Sequence, residues 1–112
     1  MSSYPRKGDV YWVHLDPTIG SETKKTRPAL IISSNMGNQY SPLVVIAPIT
    51  SKAEKIYPFE VNLTINEKKC KAMFNQLRSI DKTRVGKKIA SFAESREVIA
   101  QIEAALKVVF EI

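Results

Sequence analysis

Arg27 and Thr50 are the two polar residues whose setting in the sequence suggests chemistry. Arg27 ends the polar stretch Gly20-Ser21-Glu22-Thr23-Lys24-Lys25-Thr26 and opens the apolar run Pro28-Ala29-Leu30-Ile31-Ile32. Pro28 fixes its own φ and pushes Arg27 out of the helical region, so the guanidinium is carried on stiff, extended backbone. Thr50 leaves a second apolar run, Leu43 to Ile49. If the sheet brings these strand ends together, a guanidinium and a hydroxyl line one cavity. The guanidinium offers a planar fork of donors suited to two phosphate oxygens, and the hydroxyl can donate to a third or to a leaving oxygen. Where a ribose 2′-hydroxyl attacks its own neighbouring phosphate, charge grows on the non-bridging oxygens. Donors aimed there stabilise the transition state more than the ground state, and neither a metal nor an external nucleophile is required. Proton transfer is the gap, because Arg27 is always charged and Thr50 is a poor base. His14, the only imidazole, and Glu22, in the polar loop, are the residues left to consider. For Arg27, His14 and Glu22, the bland alternative is a solvated or structural side chain in a basic protein.

Short strands must position these groups. Gly8 to Leu15 mixes β-branched and aromatic residues in imperfect alternation and predicts a first strand, ended by Asp16-Pro17. The aperiodic segment from there to Thr26 is a loop of about ten residues, a length that is usually functional in a compact domain. Pro28 to Ser33 predicts a buried strand, Ser34 to Gln39 a turn, and Leu43 to Ile49 a central strand with Pro48 at its end. Strict alternation over Phe59 to Ile65 puts Phe59, Val61, Leu63 and Ile65 on a core face. After the polar turn Asn66 to Lys69, Cys70 to Leu77 returns as the antiparallel partner, and Val85 to Phe92 adds one more strand. The period then changes. Val98, Ile99, Ile102, Ala105, Leu106, Val109 and Phe110 share one face of a helix from about Ser95 to Lys107, with Ser95 as N-cap and Glu97 in the first turn. About six strands and a terminal helix make a mostly β domain, a small bent sheet closing towards a barrel.

Composition agrees with one globular domain spanning residues 1–112, since 112 residues suffice for a single core. Seventeen Lys and Arg against eleven Asp and Glu give +6, a balance that favours a polyanionic ligand or an acidic partner. Cys70 is the only cysteine, in a strand-like run, and reads as a small core residue. One His, one Cys and no clustered carboxylates supply no recognisable metal ligand set, so no cofactor is expected. No apolar stretch approaches the roughly 20 residues that span a bilayer and the N-terminus has no signal-like core, which predicts a cytoplasmic protein with no membrane partner. Most aromatic residues fall at positions read as core-facing, leaving Tyr40 and Tyr57 as the better candidates for stacking on a base.

Several stretches together resemble a known family. Gly8-Asp9-Val10-Tyr11-Trp12-Val13, Asp16-Pro17, Gly20-Ser21-Glu22, Thr26 to Ile32, Pro48-Ile49-Thr50-Ser51 and Asn75-Gln76-Leu77-Arg78-Ser79-Ile80-Asp81 are similar, in that order, to the MazF/PemK toxins, sequence-specific messenger-RNA endoribonucleases of toxin-antitoxin systems. The resemblance spans nearly the whole chain. It implies a small Src-homology-3-like barrel of the CcdB/MazF plasmid-maintenance toxin type with a C-terminal α-helix. It also implies a homodimer and metal-independent cleavage of single-stranded mRNA to 2′,3′-cyclic phosphate and 5′-hydroxyl ends. By position, Arg27 and Thr50 match the catalytic pair and Glu22 a residue implicated in activity. His14, Asp16, Lys25, Ser51, Lys52, Asn75 and Gln76 are the expected RNA-binding residues, with Ser51 and Lys52 in a loop that varies within the family. A cognate MazE-like antitoxin with an acidic C-terminal tail is the implied second partner. Two further readings use the same barrel: a non-catalytic toxin that poisons DNA gyrase, and a passive nucleic-acid-binding module.

Overall fold

The computed structural model describes residues 4–15 and 26–112. The chain runs β1 (Asp9–His14), β2 (Thr26–Ile31), a short helix α1 (Asn35–Tyr40), β3 (Leu43–Thr50), β4 (Glu60–Ile65), β5 (Lys68–Met73), β6 (Arg78–Asp81), β7 (Val85–Ser91) and α2 (Arg96–Phe110), with 3₁₀ turns at Phe74–Gln76 and Lys82–Arg84. The strands form one antiparallel sheet ordered β4-β5-β3-β2-β1-β7, with β6 also paired to β3. It is mostly β, curled on itself and backed by the terminal helix, as the sequence predicts.

β3 is the pivot of the sheet. Along one edge it pairs with β2, from Ile31↔Ile46 to Ala29↔Pro48. Along the other it changes partner: β6 takes Leu43 to Ile46, and β5 takes Ile49 and Thr50. Between Ile46↔Arg78 and Ile49↔Ala72 the partner chain contains three more residues than β3, and the surplus is extruded as the 3₁₀ turn Phe74–Gln76. The sequence reading missed this break, taking Cys70 to Leu77 as one strand and assigning none at Arg78–Asp81. The cause is Phe74, whose ring is almost wholly buried and turns the chain inward there. Pro48 lies within β3, where the sequence reading put it at the end. It stands where the partner changes, so the missing N–H is tolerated inside a strand.

Both faces of the central strands are covered. On one, Val10, Leu30 and Ala47 meet Val61, Leu63 and Phe74 and the α2 residues Val98, Ile102 and Ala105. On the other, Val13, Ala29, Ile31, Val44, Ile46 and Ile80 pack inside the curl. This double burial is why the β2 and β3 sequences read as continuous apolar runs.

α2 is capped as expected, Ser95 Oγ accepting from Val98 N at 3.1 Å, but runs on to Phe110. Phe110 leaves the predicted core face and is 58% exposed. At 100° per residue it sits well round the helix from Val98, Ile102 and Val109, which stay aligned. Phe59 precedes β4 instead of belonging to it, half-buried with its ring on Tyr57. The segment read as a turn at Ser34 to Gln39 contains α1, nucleated by Ser34 Oγ, which accepts from Gly37 N at 3.1 Å. The aromatic residues are not mostly internal either. Trp12, Tyr40, Tyr57 and Phe110 are all exposed, and Phe74 is the one aromatic among the largest fully buried side chains.

Asp9 is a buried carboxylate that accepts from Ser91 Oγ at 2.6 Å and Arg6 N at 2.9 Å, fastening β7 and the N-terminal segment to β1. Burial, then the Asp9 charge and its hydrogen bond, push the Tyr11 phenol upward. Because Phe74 fills the gap at the strand break, Phe74→Ala should cost about 3–5 kcal/mol, read from urea unfolding against the unsubstituted chain.

Candidate functional site

β2 and β3 are antiparallel, so the start of β2 and the end of β3 lie at the same end of the sheet. Their ladder ends at Ala29↔Pro48, two residues short of Arg27 on β2 and of Thr50 on β3. Strand alternation then gives both side chains the sheet face that carries Ala29 and Ile46. Pro28 and Ile49, the residues between, both line a cavity on the opposite face, as that register requires. Arg27 is exposed and Thr50 half-buried. Two groups distant in the sequence thus reach one sheet end, Arg27 held extended by Pro28 and Thr50 by its place in the ladder.

The Thr50 hydroxyl is oriented by its own chain. Its Oγ1 accepts from Lys52 N at 3.2 Å, a local turn that satisfies an acceptor position and leaves the hydroxyl hydrogen to be given elsewhere. Ser51 and Lys52 follow it, both exposed. Asn75 and Gln76 are exposed on the 3₁₀ turn beside β3, where Gln76 Nε2 lies 3.5 Å from Met73 Sδ.

His14 is not brought to the same face as Arg27. It pairs with Thr26, while Val13 pairs with Arg27, so alternation turns the imidazole to the side of Trp12 and Pro28. Its Nδ1 is 3.2 Å from Thr26 Oγ1, and its backbone oxygen accepts from Arg84 Nη1 at 3.2 Å. Asp16, Glu22 and Lys25, with most of the polar loop, lie outside the described residues.

The sequence reading overlooked two features here. One is Lys71, which the β3–β5 ladder sets opposite Thr50. The predicted hairpin contained it, but nothing in the sequence tied that hairpin to β3. The other is the cavity, of about 190 Å³, whose lining includes Trp12, Pro28, Ile49, Ile65 and Cys70. Burial raises the Cys70 pKa, so the thiol stays protonated and serves as an apolar wall.

This curled antiparallel sheet with a C-terminal helix matches a crystal structure of MazF from Deinococcus radiodurans with a TM-score of 0.76 and 27% identity, over 99% of this chain and 100% of that one. A MazE-MazF crystal structure from the same organism matches with a TM-score of 0.76 and 26% identity, over 96% of each chain. The endoribonuclease EndoA of Bacillus subtilis (strain 168) is 32% identical over 108 residues, covering 92% of this chain and 91% of that protein. Residues 6–110 match the family described as the PemK-like, MazF-like toxin of type II toxin-antitoxin systems, and the chain belongs to that family.

The local turn at Thr50 makes its own prediction. Thr50→Val removes the acceptor for Lys52 N while keeping the shape, and should speed hydrogen exchange at the Lys52 amide by about tenfold, the scale of one net hydrogen bond. Thr50→Ser should leave that exchange close to its original rate.

Proposed function

We propose that this chain is the toxin of a type II toxin-antitoxin pair, an endoribonuclease that cuts single-stranded mRNA at particular sequences without a metal. The observation that supports the reading is the antiparallel pairing of β2 with β3, which closes at Ala29↔Pro48 just short of Arg27 and Thr50, together with a Thr50 Oγ1 that accepts from Lys52 N. The relatives named as endoribonucleases support the same class of activity.

In the proposed reaction the ribose 2′-oxygen attacks the adjacent phosphorus as the bond to the 5′-oxygen breaks. The products are a 2′,3′-cyclic phosphate and a 5′-hydroxyl. The Arg27 guanidinium spans the two non-bridging oxygens, where charge accumulates, and the Thr50 hydroxyl donates to one of them or to the departing 5′-oxygen. The departing 5′-oxygen takes up a proton from water to become the 5′-hydroxyl, and the 2′-hydroxyl proton needs an acceptor. Since the ladder turns His14 to the other face, Glu22 is the group we assign to that role. Asp16, Lys25, Ser51, Lys52, Asn75 and Gln76 line the RNA path, holding splayed nucleotides by their edges.

The toxin works as a homodimer in the cytoplasm, and its charge of +6 per chain suits both RNA and an antitoxin tail rich in carboxylates. The MazE-MazF complexes among the structural relatives support a partner of that kind. Among the described residues, no helix is long and apolar enough to cross a membrane.

The deciding experiment incubates the purified protein with a long transcript in EDTA and characterises the ends released. Cyclic phosphate and 5′-hydroxyl ends are expected; intact RNA together with stalled gyrase would overturn the reading. Arg27→Ala and Thr50→Ala should each lower cleavage by at least about 100-fold with unchanged circular dichroism, the scale of losing one transition-state donor. His14→Ala should lose less than about tenfold, below the range expected on removing a general base or acid.

A further inference from the structure

Lys71 stands across the ladder from Thr50, and its side chain is largely buried. Its Nζ lies 2.9 Å from Glu60 Oε1 and donates to the backbone oxygen of Lys55 at 2.9 Å. The two side chains are only 12% and 5% exposed, so this pair is set into the surface, unlike an ordinary exposed ion pair. Glu60 Oε1 also accepts from Tyr57 N at 2.9 Å. One ammonium and one carboxylate, both rooted in the β4–β5 hairpin, therefore hold Lys55 and Tyr57, while the Thr50–Lys52 turn holds the start of the same segment.

The segment so anchored presents groups able to meet RNA. Tyr57 is 41% exposed, and its ring lies parallel to that of Phe59 with centroids 5.4 Å apart. The ammonium groups of Lys55 and Lys71 stand 5.1 and 5.5 Å from its centroid. On the ribonuclease reading, the Tyr57 ring and the Lys55 ammonium over it form a station for the nucleotide next to the cleaved bond. Such a station discriminates only if its geometry is fixed before RNA arrives, since a loose segment spends binding free energy on its own ordering.

We propose that Glu60 and Lys71 are positioning residues for substrate selection, holding segment 51–59 beside Thr50 and so setting which nucleotide is accepted next to the scissile phosphate. This rests on the ribonuclease reading above.

The test uses the full chain, Lys71→Met, Lys71→Arg and the double variant Glu60→Leu/Lys71→Met. The double variant loses both anchors without stranding a buried charge, so it carries the test if Lys71→Met fails to fold. On an oligonucleotide bearing the mapped cleavage site, Lys71→Met and the double variant should raise KM about tenfold with kcat within about threefold. They should also broaden the set of sites cut in a transcript pool, while Lys71→Arg recovers most of the KM. Trypsin should cut after Lys52 and Lys55 at least about fivefold faster in the folded double variant, because the segment opens independently of the sheet. An active parent whose folded double variant keeps the KM and the cleavage pattern overturns the inference, as does a loss confined to kcat. A parent that cuts no RNA overturns the ribonuclease reading itself, a distinct result.

Discussion

One strand is claimed from every side. β3 has β2 along one edge, β5 and β6 in succession along the other, and apolar cores on both faces. A strand in that position must be apolar nearly throughout, and Leu43 to Ile49 is. Thr50 is where that demand ends. It is also where the partner strand contributes Lys71, so the last rung of the best-fixed strand carries the hydroxyl and its cationic neighbour. The change of partner forces three residues out of the ladder, and Phe74 secures the extrusion by burying its ring. Asn75 and Gln76 owe their place beside β3 to that geometry.

Strand alternation divides the sheet end into two unlike faces. Arg27 and Thr50 take one face, while Trp12, Pro28, Ile49 and Cys70 line a cavity on the other. A single layer of backbone separates them, and the parity of each strand decides which residue goes where. The acidic groups near the core do structural work. Asp9 ties three chain segments together, and Glu60 neutralises Lys71. The remaining surplus of positive charge is thereby left for a polyanion.

Much of this was legible in the sequence, for reasons that separate cleanly. Alternation at Val61 and Leu63, the apolar runs of β2 and β3, and the Ser95 cap are local signals, and each element formed where it pointed. The pairing of β2 with β3, which brings the strand ends carrying Arg27 and Thr50 to the same end of the sheet, was legible only as a condition, because pairing between strands is not written in either strand alone. β6 and the 3₁₀ turn were not legible. Arg78–Asp81 is short and polar, and it becomes a strand because the N-terminal half of β3 needs a partner. The exposure of Trp12 and Phe110 was misread for a related reason: hydrophobicity predicts burial only where something lies opposite.

The segment after Thr50 leaves the most constrained strand of the molecule and returns to β4 held by the Lys71–Glu60 pair and a few hydrogen bonds. If the segment contacts RNA as proposed, fold and recognition are nearly separate modules. Substitutions within β3 would fall on a core, whereas residues 51–56 are mostly exposed. On the proposed reading, a lineage of such toxins could drift from one target message to another by rewriting a few surface letters. Escape from its own poison, by contrast, would need only one careless change in the interior.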